Sequence, residues 1–183
     1  SEEVNKDGTK TFTIKIKEDL VFSDGSPITA KNYLVSTLVF SSPVAAQAAG
    51  RDHKTGLSLV GFADHNVYTG ASDSEGKAEF AGLRLIDEYT FSVTVGADYL
   101  PYFYDISYGS FSPTFLKVWI GDNDIVDDGN GAYITEGFYE MDGEKYVMVD
   151  HIVASSLNAD DSYPYSGPYV VSSYDSTDKS VVL

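Results

Sequence analysis

The hydrophobic period of the chain changes abruptly within residues 11–40, and this change constrains the fold more than any other feature. Residues 11–17, TFTIKIK, alternate apolar and polar side chains, which is typical of a half-buried β-strand. After a short extended piece at 20–22, the sequence Asp-Gly-Ser-Pro at 24–27 predicts a tight turn, because these residue types favour turn backbone angles. The chain is therefore predicted to leave a sheet strand and reverse sharply into the next element.

That next element is predicted to be a helix with Thr29 as its N-cap. Apolar and small side chains behind the cap recur at helical spacing, at Ala30, Tyr33, Leu34, Thr37 and Leu38. The pair Ser42-Pro43 is predicted to end or bend this helix, since proline is poorly tolerated inside one. The helix is expected to pack its apolar face on the preceding sheet.

Most of the remaining order is predicted as antiparallel hairpins. They lie at 82–95 with a turn at Asp87-Glu88, at 139–153 with a turn at Asp142-Gly143, and at 169–183 around a polar turn at 175–179. Further helical pieces are predicted at 44–49, once within the glycine-rich stretch 51–82, and from Pro101 onward. The predicted fold class is mixed α/β, with a mostly antiparallel sheet packed by helices.

The composition limits the partners. The 183 residues carry 28 acidic and 12 basic side chains, a formal net charge of −16, so phosphate backbones and anionic lipids are repelled and no nucleic-acid partner is expected. Cysteine is absent, which excludes disulfides and thiolate metal sites. No apolar run approaches the length of about 20 residues that a membrane span requires.

The residue chemistry favours a binding domain over an enzyme. His53, His65 and His151 have no neighbours at metal-ligand spacing, and Ser110 lacks the flanking glycines of a nucleophile elbow. The acidic stretch with Asp122, Asp124, Asp127 and Asp128 departs from the spacing of a calcium loop, and a solvated turn is the better interpretation. No catalytic residue, metal site or cofactor is predicted.

Residues 11–40 resemble the signature region of the extracytoplasmic solute-binding proteins of ABC importers, family 5, whose members bind peptides or nickel complexes. The matching residues, in order, are Phe22, Ser23, Asp24, Gly25, Pro27, Thr29 and Ala30. Three further blocks are similar to later family segments in the same order, at 82–95, 101–117 and 165–171. Four ordered blocks make the resemblance specific, and it implies a type II periplasmic-binding-protein fold.

The chain departs from the family pattern in two respects. Asn32 stands where an acidic residue is common, so the capping box is expected to be lost and the helix start to be less firm. The members are also much longer, two-lobed proteins, so we expect this chain to be a piece of one. Residues 11–118 would form the small extra domain, 119–162 an insertion, and 163–183 the strands returning to the first lobe.

The resemblance implies the substrate-binding component of an importer, which captures peptides outside the membrane and passes them to a membrane permease. It places five residues at the ligand-facing edge: Tyr104, Tyr108, Ser112, Ser166 and Gly167. For the two tyrosines, packing in the core or at the interface between lobes is the alternative interpretation. Phe22, Asp24, Gly25, Pro27 and Thr29 would serve structure, and the location would be a cell-surface lipoprotein or the periplasm. The chain alone is expected to bind peptide poorly, since it would supply only one wall of the site.

Two other classes of function remain open on the residues alone. A β-rich carbohydrate-binding or adhesin-like surface module would explain the 14 tyrosines and the acidity. An enzyme with carboxylates far apart in sequence would require a strongly perturbed acid. Neither alternative accounts for the four ordered blocks.

Overall fold

A computed structural model describes residues 1–43, 53–135, 138, 141–142, 145–146, 164–167, 169 and 172–182. The strands are β1 (Glu2–Val4), β2 (Lys10–Lys15), β3 (Leu83–Asp87), β4 (Thr90–Val95), β5 (Ile125–Asp127), β6 (Ala132–Ile134), β7 (Met141–Asp142), β8 (Lys145–Tyr146), β9 (Ser173–Asp175) and β10 (Ser180–Val182). The α-helices are α1 (Ala30–Phe40), α2 (Phe62–His65) and α3 (Leu116–Ile120), and 3₁₀ helices span Ala97–Tyr99 and Asp105–Gly109.

The central sheet has the strand order β1-β2-β4-β3, and every neighbouring pair is antiparallel. The predicted strand at 11–17 is confirmed as β2, and the hairpin at 82–95 is confirmed as β3 and β4. The register places Phe12 opposite Val93 and Ile14 opposite Phe91, so that apolar residues share one face. The mixed α/β fold class with antiparallel strands is likewise confirmed.

Helix α1 lies on this sheet, and Thr29 is its N-cap as predicted. Tyr33 stacks on Phe91 of β4 at a ring distance of 5.5 Å. The helix buries more than the single predicted stripe, since Val35 and Val39 are also fully inaccessible. The reason is a second contact, in which Phe40 meets the edge of Trp119 on α3 at 4.8 Å. Helix α1 is therefore enclosed from two sides.

The hairpin of β5 and β6 closes the core beyond β3. Ile125, Ala132 and Ile134 are buried in the same hydrophobic cluster as the helix and the sheet. The backbone N–H of Phe80 donates to the Ala132 carbonyl at 2.9 Å, which attaches this hairpin to the segment before β3. These residues fall in the range 119–162 that the sequence predicts as an insertion, and that domain boundary stays a prediction.

Other predicted elements have mixed outcomes. The short helix within 51–82 is confirmed as α2. The hairpin predicted at 139–153 is confirmed where β7 pairs with β8, at 141–142 and 145–146, and its other residues lie outside the described ones. The hairpin predicted at 169–183 is confirmed as β9–β10 and is shorter than predicted. A helix beginning at Pro101 is wrong, because the helical residues begin only at Asp105. The helix predicted at 44–49 lies outside the described residues. Within the described part, no helix has the length and apolar character needed to cross a membrane.

Candidate functional site

The turn between the first strands and α1 is stabilised by its own side chains. Asp24 Oδ1 accepts hydrogen bonds from the backbone N–H and the hydroxyl of Ser26, at 2.9 and 2.6 Å. The Ser26 hydroxyl contributes most to lowering the pKa of Asp24 below its usual value. Gly25 has a φ of +84°, a conformation that other L-residues rarely adopt. Asp24 is thus engaged within the turn, and Phe22 beside it packs edge-on against Phe115 at 5.5 Å.

Asn32 links the start of α1 to the segment before α3. Its Oδ1 accepts from the Thr29 backbone N–H at 2.8 Å, and its Nδ2 donates to the Thr114 carbonyl at 3.0 Å. The Thr114 backbone N–H in turn donates to the Asn32 carbonyl at 2.8 Å. The expected loss of the capping box is therefore wrong: the amide oxygen takes the role of the carboxylate, and the amide nitrogen forms a bond that an acid could not donate.

Residues 164–167 lie against the turn from the far end of the described chain. The Ser23 backbone N–H donates to the Tyr165 carbonyl at 2.9 Å, and the Tyr165 N–H donates to Ser23 Oγ at 3.2 Å. The Ser166 hydroxyl lies 3.5 Å from the Pro113 carbonyl, a long contact. We call Ser23, Ser112, Pro113 and residues 165–167 the serine edge. Ser23, Ser112, Ser166 and Gly167 are all solvent-exposed.

A second group of exposed side chains surrounds Tyr102. Its ring lies 6.1 Å from that of Tyr104 and 5.6 Å from that of Tyr108, and Tyr99 meets Tyr108 at 6.3 Å. Phe103 extends the group by an edge-on contact with Tyr104 at 4.7 Å. We call these five residues the aromatic cluster. Phe103 is 88% exposed and Tyr104 61% exposed, whereas Tyr108 is half-buried against the core.

An ion-pair network attaches the aromatic cluster to the sheet. Lys10 on β2 binds Asp105, the first residue of the second 3₁₀ helix, at 2.7 Å, and Glu2 on β1 at 3.1 Å. The hydrogen bond to Asp105, followed by the one to Glu2, raises the pKa of Lys10. The Lys10 ammonium also lies 4.9 Å from the centre of the Phe12 ring. The loop that carries the aromatic rings is in this way held on a rigid strand.

The five residues proposed at the ligand-facing edge thus fall into two groups. Ser112, Ser166 and Gly167 belong to the serine edge, and Tyr104 and Tyr108 belong to the aromatic cluster. Ser23 and Tyr102 make the central contacts of the two groups and were not predicted as site residues. Ser23 lies within the matched turn motif and Tyr102 lies between Pro101 and Phe103, so both positions were marked by the same motifs.

The acidic stretch at 122–128 is only partly the solvated turn that the sequence predicts. Asp122 is fully exposed, but Asp127 has a side chain only 6% exposed and pairs with Arg84 at 2.7 Å. Asp127 also accepts from the backbone N–H groups of Leu85 and Gly129, at 2.9 and 2.8 Å. Asp124 pairs with Lys31 on α1 at 2.6 Å. Two of the four aspartates therefore join the hairpin to other elements.

Partial burial and pairing act in opposite directions on Asp127. Desolvation raises its pKa, but the hydrogen bonds from Arg84 and from the backbone outweigh this effect and leave the pKa below its usual value. In the part of the chain that the structure describes, no group of three or more His, Cys, Asp or Glu side chains is placed to hold a metal ion. His151 lies outside the described residues.

Comparison with known proteins identifies the class. The chain matches the family model described as bacterial extracellular solute-binding proteins, family 5 Middle, over residues 1–183. The chain belongs to this family of solute-binding proteins, which are binding proteins and not enzymes. Among curated proteins, none matches the chain.

Several solved structures are similar in part. Listeria monocytogenes OppA bound to peptide has 20% identity and a TM-score of 0.44, over 73% of this chain and 25% of that one. Burkholderia pseudomallei OppA has 19% identity and a TM-score of 0.42, over 69% and 26%. Haemophilus influenzae OppA in complex with RPPGFSPFR has 20% identity and a TM-score of 0.39, also over 69% and 26%. The chain thus spans about a quarter of the length of these structures.

Proposed function

We propose that the protein is the substrate-binding component of an ABC importer, which captures peptides outside the cytoplasmic membrane and delivers them to a permease. The observation that carries the proposal is the family match over residues 1–183. The proposed location is the cell surface, through a lipid anchor, or the periplasm. Peptide is preferred over nickel complexes or oligosaccharides because of the groups that this chain presents.

Those groups suit a peptide main chain. The serine edge combines exposed hydroxyls with backbone at Gly167, where no side chain blocks a close approach. Such groups pair with the N–H and C=O of an extended peptide without selecting its sequence. The aromatic cluster adds apolar surface for peptide side chains. We propose Tyr104, Tyr108, Ser112, Ser166 and Gly167 as ligand-facing residues, with Ser23 and Tyr102 added to them.

The proposal includes a shared site. Most residues of both groups are exposed to solvent in this chain, and a ligand site usually buries most of its ligand. We therefore propose that the remainder of a two-lobed protein supplies the opposing wall, and that closure of the lobes over the ligand follows from its binding energy. On this account, residues 1–183 alone bind peptide poorly.

A thermal-shift titration tests the proposal. Full-length protein is mixed with pooled di- to penta-peptides, and nickel chelates and oligosaccharides serve as comparison ligands. A ligand at about one hundred times its Kd stabilises the folded state by roughly 2.7 kcal/mol, so the melting temperature should rise clearly with peptide. Residues 1–183 alone should not respond. A response to oligosaccharide alone would favour the carbohydrate-binding alternative, and a micromolar response of the isolated chain would refute the shared site.

A further inference from the structure

His65 is a fully buried titratable group that the proposed function does not use. His65 is the last residue of α2, and its side chain is 0% exposed. The ring Nδ1 lies 2.8 Å from the Ala78 carbonyl oxygen, and Nε2 lies 3.2 Å from the Leu38 carbonyl oxygen near the end of α1. The ring also stacks on Phe80 at 5.2 Å. One imidazole therefore joins three parts of the fold.

The two contacts of the ring require more protons than a neutral imidazole has. Carbonyl oxygens only accept hydrogen bonds, and a neutral imidazole carries one N–H. The shorter distance assigns that proton to Nδ1, which donates to Ala78. The lone pair of Nε2 then faces the Leu38 carbonyl, whose oxygen already lies 3.2 Å from the Ser41 hydroxyl. The neutral ring therefore donates to Ala78 and meets the end of α1 by packing alone. The hydrogen bond to the end of α1 comes from the neighbouring Asn66, whose Nδ2 donates to the Ser41 carbonyl at 2.7 Å.

The surroundings give a second proton little compensation. The last turn of α1 contributes no charged side chain. The segment after α2 contributes Lys77 and Glu79, α2 itself contributes Asp64, and Asn66 connects the site to His53 through the His53 carbonyl. Among the described residues, no carboxylate lies within ion-pair distance of the ring. Burial lowers the pKa of His65, and the Leu38 and Ala78 carbonyls and the charge of Glu79 offset this only in part.

We propose that His65 is a pH-sensitive latch, which holds residues 62–80 on the end of α1 while its ring is neutral and releases them when the ring takes a second proton. Release would reach beyond α2. Phe80 stacks on the ring and its backbone pairs with Ala132, so the β5–β6 hairpin would lose an attachment as well. The released ring would be hydrated, which removes the cost of a buried charge.

The sign of the pH dependence follows from where protonation is easier. In the open state the ring has an ordinary pKa of about 6.5, and in the closed state the pKa is lower. The latch should therefore be at full strength above about pH 6.5 and should weaken as the pH falls below it. The closed-to-open ratio should decrease by up to tenfold per pH unit, until the pH reaches the pKa of the closed state.

Hydrogen exchange of the full-length protein tests the latch. Protection factors of the Asn66 and Phe80 amides are measured between pH 8 and pH 5, with amides of β2 and β4 as internal references. The protein is compared with His65→Phe, which keeps an aromatic ring but does not titrate, and with His53→Gln, which removes a histidine outside the core. Protection at Asn66 and Phe80 should fall in acid in the parent and in His53→Gln, and should be independent of pH in His65→Phe.

Two results would overturn the proposal. One is protection at Asn66 and Phe80 that stays constant or rises in acid, since the two carbonyls would then be sufficient to hold an imidazolium. The other comes from ¹⁵N spectra of the His65 ring in the parent protein, which are informative even if His65→Phe does not fold. A neutral ring with the proton on Nδ1 at pH 7 is expected, and an imidazolium at that pH contradicts the latch.

Discussion

At the scale of the residue, Asn32 shows that a buried helix-capping side chain must be judged by the hydrogen bond it donates as well as by the one it accepts. A helix cap at this position requires an oxygen to accept from Thr29, and aspartate, glutamate and asparagine all provide one. The Thr114 carbonyl requires a donor as well, and only the amide supplies it. The side chain is 4% exposed, so both requirements are met without water.

Replacing Asn32 by aspartate should therefore destabilise the fold, although an acid restores the common capping pattern. The carboxylate would face the Thr114 carbonyl with no proton to donate, and an unsatisfied buried group costs about 1–3 kcal/mol. Urea unfolding followed by the fluorescence of Trp119 measures the change. The reverse exchange at a fully exposed position, Asp122→Asn, should change the free energy of unfolding by less than about 0.5 kcal/mol. Equal stabilities of Asn32→Asp and the parent would contradict this account of the residue.

At the scale of the element, Arg84 and Asp127 connect the edge strand β3 to the β5–β6 hairpin. Two guanidinium nitrogens donate to the two carboxylate oxygens, at 2.7 and 3.0 Å. This bidentate geometry makes the ion pair stronger and fixes the orientation of the two side chains. Strand β3 is an edge strand, with β4 on one side and, among the described residues, no strand on the other. The Leu85 backbone N–H donates to the Asp127 carboxylate, which covers the open edge of β3 at this point.

The stability that Asp127 contributes should depend on pH in acid. Its pKa is lower in the folded state than in the unfolded one, so its contribution is complete above about pH 4 and is lost as the pH falls through the folded-state pKa. Asp127→Asn should cost about 1–2 kcal/mol at pH 7 and much less in strong acid, by urea unfolding. Asp122→Asn, at a fully exposed aspartate, is the matched control and should cost little at either pH. A penalty for Asp127→Asn that is independent of pH would contradict the ion-pair account.

Elements whose signals are local could be predicted, and those that depend on distant packing could not. Strand β2, helix α1 and the 82–95 hairpin follow from period and turn residues that lie together in sequence. The predicted helix at Pro101 failed because proline favours a helix start only where a buried face follows. Tyr102 and Phe103 are instead 46% and 88% exposed, so packing does not support a helix there.

For the candidate site, the sequence could indicate the proposed residues but not how they group in space. Matched motifs pointed to both groups of proposed ligand-facing residues, but their division into a serine edge and an aromatic cluster depends on tertiary contacts. Ser23 and Tyr165 are 142 residues apart in sequence, and no local sequence pattern predicts their hydrogen bond. The partner of Asp127 is likewise remote in sequence, which is why a solvated turn was the natural interpretation of that stretch.

At the scale of the whole molecule, the proposed peptide site has one wall on this chain. The serine edge joins the first turn, the segment before α3 and residues 164–167, so three distant parts of the sequence meet at one exposed surface. The aromatic cluster is held separately on β2 through Lys10. A two-lobed protein that closes on a peptide would cover these surfaces.

The most direct test of this central claim is hydrogen–deuterium exchange of the full-length protein with and without a peptide that stabilises it. We expect slower exchange on binding in two segments of this chain, 102–113 and 164–167, and little change in the β9–β10 hairpin, which contributes no residue to either group. Peptide binding that leaves both segments unchanged would contradict the claim that this chain forms a wall of the site.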